Sequence, residues 1–299
     1  METANLSLPS TLMEAIDKFS DPQICLEVVA GAKWGPGGVT CPRCESKRLS
    51  FLKTRQMWKC LDCKKQFSVK VGTIFEDSAI PLNKWLCAMW VVANCKNGVS
   101  SYEVARDLEV TQPTAWFMLH RIRYAMHNGT INKMSGGVEA DETFIGGKAR
   151  NMHIGKRIQH IKGRGPLGKA VVFGLLDRET GKVRTSVVRT RRKGELHRSI
   201  RETVAPSSEV YTDALKSYEG LDEYAHKVID HAEAYVDGKV HTNKLENFWS
   251  LLKRAINGTY VSVEPYHLFR YLDEQSFRYN ERKEGQRCRA FWKGRLYRR

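Results

Sequence analysis

The chain has 299 residues, 41% of them hydrophobic and 10% aromatic. That is the composition of a folded protein and excludes a disordered one. Its 49 Lys and Arg against 33 Asp and Glu leave a formal charge of +16, which points to a polyanionic partner, nucleic acid before anionic membrane.

The longest apolar run, WLCAMWVVA at 85–93, is far short of the ~20 residues that span a bilayer. The opening METANLSLPSTLMEAIDKFS has no basic stretch leading into an apolar one. A cytoplasmic, nucleoid-associated protein with no membrane partner is expected. Residues 1–35 read as an N-terminal helical segment.

Residues 36–75 carry CPRC at 41–44 and CLDC at 60–63, giving C-x2-C-x15-C-x2-C. Two residues between cysteines let both thiolates of a knuckle turn onto one ion. Four thiolates then close a tetrahedral structural zinc site with no open position. Cys41, Cys44, Cys60 and Cys63 are the predicted ligands, in preference to redox pairs, and RLSFLKTRQMWK between them has hairpin character. So small a module folds only with its metal. Its basic residues, Arg43, Lys47, Arg48, Lys53, Arg55, Lys59, Lys64 and Lys65, suit DNA phosphate. The remaining cysteines, Cys25, Cys87, Cys95 and Cys288, read as reduced thiols.

Residues 80–128 read as three helices. The first covers about 82–95. Ser100 or Ser101 caps the second, with Glu103 in its first turn. Thr111 caps the third, which takes Pro113 in its first turn and is expected to bury Trp116, Leu119 and Ile122. This is helix-turn-helix grammar, with a plain helical bundle as the alternative. In the DNA-reading case Thr111, Gln112 and Thr114 face base edges, and Arg121 and Arg123 serve phosphates or packing.

From residue 136 the period changes. GGVEADETFIGG (136–147) alternates, with Val138 and Ala140 on one face and Glu139 and Asp141 on the other. A buried strand into a turn comes next at 168–182 with its hairpin partner at 183–190, then a helix at 194–206 and a strand at 208–214. A helix in ALKSYEGLDEY, a strand at 226–231 and a helix in HTNKLENFWSLLKR (241–254) complete the series. The order βββ-α-β-α-β-α is that of a ribonuclease-H-like mixed sheet, expected over 136–280. The fold class is therefore multidomain α/β, a zinc ribbon plus helix-turn-helix followed by this catalytic domain.

In such a sheet, acids on the first strand, at the end of the fourth strand and on a late helix converge. Asp141, Asp213 and Glu246 fall at those places. Three carboxylates suit a pair of Mg2+ ions in phosphoryl transfer. Each acid has a plainer use. Asp141 could be a strand-end residue, with Glu139 or Glu142 the ligand, and Asp213 could cap the next helix. Asp177, in LLDRETG, reads as a turn residue.

The stretches VEADETFIGGK, VFGLLDRETGKV, VYTDALKSYEGL and HTNKLENFWSLLKRAINGTY closely resemble the ISXO-type DDE domain of bacterial insertion-sequence transposases. In that group a zinc ribbon and a helix-turn-helix precede the domain, and CPRC…CLDC and SSYEVARDLEVTQPTAW resemble those. The resemblance implies a transposase that binds the terminal inverted repeats of its own element. It would cut there with water and join the freed 3′-hydroxyls to target DNA, using Mg2+ or Mn2+. By motif Asp141 is the first acid and Asp213 the second. The third is either Glu246, in Asp213-x32-Glu246 with Lys253 seven residues on, or Asn243 of the HTN motif. A carboxylate binds Mg2+ more strongly than an amide, which favours Glu246. Lys253 would contact phosphate or pair with Glu246.

Between Thr143 and Leu176 there is no acid, while Lys148, Arg150, Lys156, Arg157, Lys162, Arg164 and Lys169 accumulate in a pattern that suits a DNA clamp. The C-terminal stretch, 281–299 within FRYNERKEGQRCRAFWKGRLYRR, interleaves basic and aromatic residues in the manner of a DNA-backbone contact. Double-stranded DNA is the expected partner, and pairing two DNA ends implies a homodimer or higher oligomer on DNA.

Overall fold

The computed structural model describes residues 8–127, 132–147, 151–160, 168–229 and 243–282. The chain divides into two compact units, the second spanning His127–Asn280 and the first taking the residues on either side of it.

The first unit opens with two helices whose caps are local. Thr11 accepts from Glu14 N at the start of α1 (Leu12–Phe19), and Asp21 accepts from Gln23 N at the start of α2 (Pro22–Trp34). A three-stranded antiparallel sheet comes next, in the order β1 (Leu49–Leu52), β2 (Met57–Cys60), β3 (Gln66–Ser68). Trp34 meets Trp58 edge-on at 5.4 Å, and Phe67 stacks on Trp58 at 6.0 Å. This aromatic plug fills one side of a sheet too small to form a core alone.

Helix α3 (Leu82–Asn94) buries Trp85, Leu86, Met89 and Val92. Ser100 and Glu103 form a reciprocal capping box on α4 (Ser101–Asp107), and Thr111 caps α5 (Gln112–Ala125) with Pro113 in the first turn. The face α5 buries is Ala115, Met118, Leu119 and Ile122. Trp116 corrects the expectation. It is 39% exposed and packs on His120 at 4.1 Å, because the buried stripe starts one residue earlier, at Ala115.

The second unit holds a five-stranded mixed sheet in the order β6-β5-β4-β7-β8. Strand β4 (Gly137–Ile145) is central, β5 (Ala170–Asp177) and β6 (Val183–Val188) run antiparallel on one side, and β7 (Glu209–Asp213) and β8 (Ala225–Ile229) run parallel on the other. Between β5 and β4 lies the short helix α6 (Ile154–His160), and α7 (Lys193–Thr203) makes the crossover from β6 to β7.

Each sheet face has its own core. Val138, Ala140, Phe173, Leu175 and Val210 pack with Leu196 and Ile200 of α7. Val172, Leu176 and Val183 pack with Leu245, Phe248 and Leu252 of α8 (Asn243–Arg254) and Leu272 of α9 (Leu268–Asn280). Asn280 fastens the end of α9 to β6, donating to Val183 O at 2.9 Å and accepting from Val183 N at 2.7 Å.

One expected element is corrected. ALKSYEGLDEY forms no α-helix, only a single 3-10 turn, Lys216–Tyr218. Asp213 Oδ1 accepts from Leu215 N at 3.1 Å, which directs the chain into a turn at once. Tyr218 is fully buried, and Gly220 at φ +78° ends the segment. Only 11 residues separate β7 from β8, too few for a full helix with both connections.

Candidate functional site

In the first unit Cys41 and Cys44 precede β1, Cys60 closes β2, and Cys63 lies one knuckle turn later. Their four Sγ atoms lie within 4.8 Å of one another, with Cys41–Cys63 and Cys44–Cys60 both at 3.6 Å. The donor set fits zinc. Backbone hydrogen bonding at Cys63, reinforced at Asp62, brings the Cys60 thiol down to about 6, which favours the thiolate a metal takes. The cluster is a structural zinc site.

In the second unit the acids start on β4. Alternation sends Val138 and Ala140 into the core beneath α7, and Glu139 and Asp141 to the face under α8. Glu139 is fully buried. Its Oε1 accepts from Arg178 Nε at 2.9 Å and its Oε2 from the backbone N of Leu245 at 3.1 Å. Glu139 therefore caps the first turn of α8, a use that leaves Asp141 as the acid of this face.

Asp141 Oδ1 accepts from Glu142 N at 2.8 Å and Oδ2 from the Trp249 indole Nε1 at 2.9 Å. Burial, then the Glu142 charge and, more weakly, Asp213, push its carboxyl from 3.8 up to about 7. Glu142 points the other way. Tyr218 donates its hydroxyl to Glu142 Oε2 at 2.6 Å, and Arg191 lies 3.6 Å from Oε1. Burial raises Glu142 as well, against the pull of Tyr218.

Strands β4 and β7 pair in parallel, Glu139 with Tyr211. Two residues further along each strand, the same offset sets Asp141 level with Asp213, whose charge raises both Asp141 and Glu142. The helix that Asp213 was weighed to cap does not form; its Oδ1 instead accepts from Leu215 N in a turn. Asp177 is the turn residue expected, accepting from Glu179 N and Thr180 N.

Asn243, Glu246 and Lys253 all lie on α8. Glu246 is half-buried and Lys253 exposed. The Asn243 Oδ1 is buried with no hydrogen-bond partner among the described residues. Asp141, Glu142 and Asp213 are thus brought together, and α8 is tied to that group through Trp249. Among the described residues, however, the four cysteines are the one set of three or more Cys, His, Asp or Glu ligand atoms within 4.8 Å. Asp141, Asp213 and Glu246 do not form such a set.

The residues expected to touch DNA divide. Thr111 and Thr114 hydroxyls meet at 2.8 Å, and Gln112 Nε2 donates to Ser101 Oγ at 2.8 Å, all at the start of α5. Arg121 is half-buried and donates to the carbonyls of Ile74 and Glu76 at 2.8 and 2.5 Å. Arg123 corrects the phosphate option. It is 1% exposed, on the same side of α5 as Leu119 and Ile122, so packing is its role. Arg157 is exposed on α6. Lys148, Arg150, Lys162, Arg164, the Lys156 side chain and the basic stretch from 283 onward lie outside the described residues.

Sequence reading missed Trp249, the opposing Gly174, and the tie from Tyr218 to Glu142. The available signals were a tryptophan beside the buried stripe of α8 and a lone glycine inside the apolar run AVVFGLLD.

Residues 133–280 match the family model of an ISXO2-like transposase domain, and residues 21–66 that of a transposase zinc-ribbon domain. A protein described as an uncharacterized protein in transposable element ISH50, from Halobacterium salinarum, is 27% identical over 82% of this chain and 86% of its own length. An uncharacterized transposase-like protein of Haemophilus influenzae is 36% identical over 33% of this chain and 81% of its own. Among solved structures, a simian T-cell lymphotropic virus intasome in complex with PP2A regulatory subunit B56 gamma is matched over 60% of this chain and 66% of that one, at 12% identity. Its TM-score of 0.30 is too low to bear on the fold. By its transposase-domain and zinc-ribbon matches and by these relatives, the chain belongs to the ISXO2-like transposase family.

Proposed function

We propose that this transposase binds the terminal inverted repeats of its element as double-stranded DNA, cuts the strands there and joins the freed ends to target DNA. Asp141, Asp213 and Glu246 would be the carboxylates that hold Mg2+ or Mn2+. The observation that carries the reading is the β4/β7 register, which sets Asp141 level with Asp213 beneath a helix carrying a third acid. The strand order, three antiparallel strands followed by two parallel ones, supports a ribonuclease-H-like domain.

The donor set fits a hard cation, being oxygen-only, with Asp141 raised to about 7 chiefly by burial and then by the charges of Glu142 and Asp213, a cost that a bound cation would relieve. When bound, paired divalent ions supply an activated oxygen nucleophile and stabilise the leaving oxygen. The protein's part is to hold the carboxylates and align the DNA backbone. At ~100° per residue along α8, Glu246 and Lys253 lie within about 60° of Trp249, whereas Asn243 lies about 120° away. Because Trp249 reaches Asp141, this supports Glu246 as the third carboxylate, Lys253 as a phosphate contact and Asn243 in support.

Helices α4 and α5 would read the DNA as a helix-turn-helix, with Thr111, Gln112 and Thr114 at the leading end. Arg157, with Lys148, Arg150 and Lys156, would clamp the backbone. A homodimer or higher oligomer on DNA is required by the need to pair two ends. No helix among the described residues is long and apolar enough to cross a membrane; a cytoplasmic, nucleoid-associated location follows from the proposed DNA substrate.

The test is incubation of the purified protein with Mg2+ or Mn2+ and duplexes carrying the element ends. The wild type should yield cut and joined products, and their absence would overturn the proposal. Asp141→Ala and Asp213→Ala should abolish them. Glu246→Ala falling further than Asn243→Ala would assign the third ligand to Glu246, and the reverse order to Asn243.

A further inference from the structure

Helix α8 lies along β4 through two hydrogen bonds in step. Glu139 accepts from Leu245 N and Asp141 accepts from Trp249 Nε1. Residues two apart on a strand advance about 7 Å and residues four apart on a helix about 6 Å. Strand and helix therefore run in the same direction with matched repeat, and the second contact falls on the first acid of the proposed site. Directly across the antiparallel ladder from Asp141 is Gly174. A Cβ there would sit 2.6 Å from two carbons of the Trp249 ring and 3.3 Å from Leu245 Cδ1. The missing side chain at Gly174 is the space the indole occupies, and Trp249 is 4% exposed.

We infer that Trp249 is a positioning residue for the Asp141 carboxylate, admitted to the sheet surface by Gly174. The inference rests on the metal-binding reading of Asp141 proposed above. Glu142 N holds Oδ1 and the indole N–H holds Oδ2. With one donor on each oxygen the carboxylate plane is fixed, and each oxygen keeps a second lone-pair direction for a cation. Partners of this kind orient ligands and change metal affinity by ~10–100-fold when removed. The contact also makes the helix carrying Glu246 and Lys253 move as one piece with the strand carrying Asp141.

The test uses the full-length, zinc-loaded protein and Mn2+, with free ion measured by electron paramagnetic resonance and indole emission recorded in parallel. Trp249→Phe keeps an aromatic ring on α8 but removes the N–H and leaves the outer end of the slot beside Gly174 empty. Mn2+ affinity should fall ~10–100-fold with the circular dichroism spectrum unchanged. The Mn2+-dependent quenching of indole emission should largely disappear. Gly174→Ala, which displaces the ring without touching its N–H, should weaken Mn2+ binding similarly. Wild-type affinity in Trp249→Phe, while Asp141→Ala abolishes binding, would overturn the inference and leave the site standing. Mn2+ binding that survives Asp141→Ala unchanged would instead overturn the site assignment.

Discussion

Replacing Asp141 by Asn should stabilise the protein in the absence of divalent cations, and the structure gives the size. The fold raises this carboxyl from 3.8 to about 7, chiefly by burial and then by the charge of Glu142. At ~1.4 kcal/mol per tenfold change, holding the charged form costs about 4 kcal/mol above pH 7. Asn removes that cost. It also loses something, because its amide oxygen can accept from Glu142 N or from the Trp249 indole but not from both. The bond given up is worth about 1 kcal/mol, which leaves a net gain of about 3 kcal/mol.

The sign comes from the direction of the shift. A carboxyl whose pKa rises on folding is protonated in both states below 3.8, so the charge costs nothing there. The cost grows as pH rises between 3.8 and about 7 and is complete above that range. The gain from Asp141→Asn should therefore be full at about pH 8, shrink through about pH 6 and vanish near pH 4. Urea unfolding of both proteins across this range in Mg2+-free buffer without chelator measures the difference, and the zinc cluster, common to both, cancels. Millimolar Mg2+ should stabilise the wild type and not the variant. A gain independent of pH, or a loss at the alkaline end, would refute the electrostatic account.

Two further changes probe other parts of the molecule. Stripping the zinc with a strong chelator, or substituting Cys60→Ser, should release one equivalent of zinc detectable with a colorimetric dye and abolish the near-ultraviolet signal of Trp34 and Trp58. The mixed sheet of the second unit should persist, since its cores share no residue with the ribbon. Glu139→Ala should destabilise the second unit by about 3 kcal/mol, because it removes the ion pair to Arg178, which keeps its place over the Tyr211 ring, and leaves Leu245 N without its acceptor. Amide exchange at 243–249 should rise sharply, and Glu139→Gln, which can still accept from Leu245 N, should restore much of the protection.

Local rules sufficed for much of this protein. The C-x2-C-x15-C-x2-C spacing named a zinc cluster, since a knuckle is a few residues of backbone and needs no distant help. Caps at Ser100 and Thr111 and the alternation along β4 were legible for the same reason. The segment after β7 was misread because helix propensity in ALKSYEG yields to two contacts that no window shows, the turn at Asp213 and the long reach of buried Tyr218 to Glu142. Trp116 turned outward against expectation, and of the two uses weighed for Arg123 packing is the one found, because the buried stripe of α5 starts at Ala115 and takes in Arg123.

The acids show the division most clearly. Sequence order and type singled out Asp141, Asp213 and Glu246, but β4 offers three acids within four residues, and their roles depend on which element packs on each face. Glu139 became the cap of α8, Glu142 the partner of Tyr218 and Arg191, and Asp141 the carboxylate held by Trp249. A sequence determines alternation and spacing because these are properties of one strand or one helix. Which face meets which helix is decided by packing between residues far apart in the chain, 106 positions for Glu139 with Leu245 and 108 for Asp141 with Trp249, and only the tertiary structure contains that.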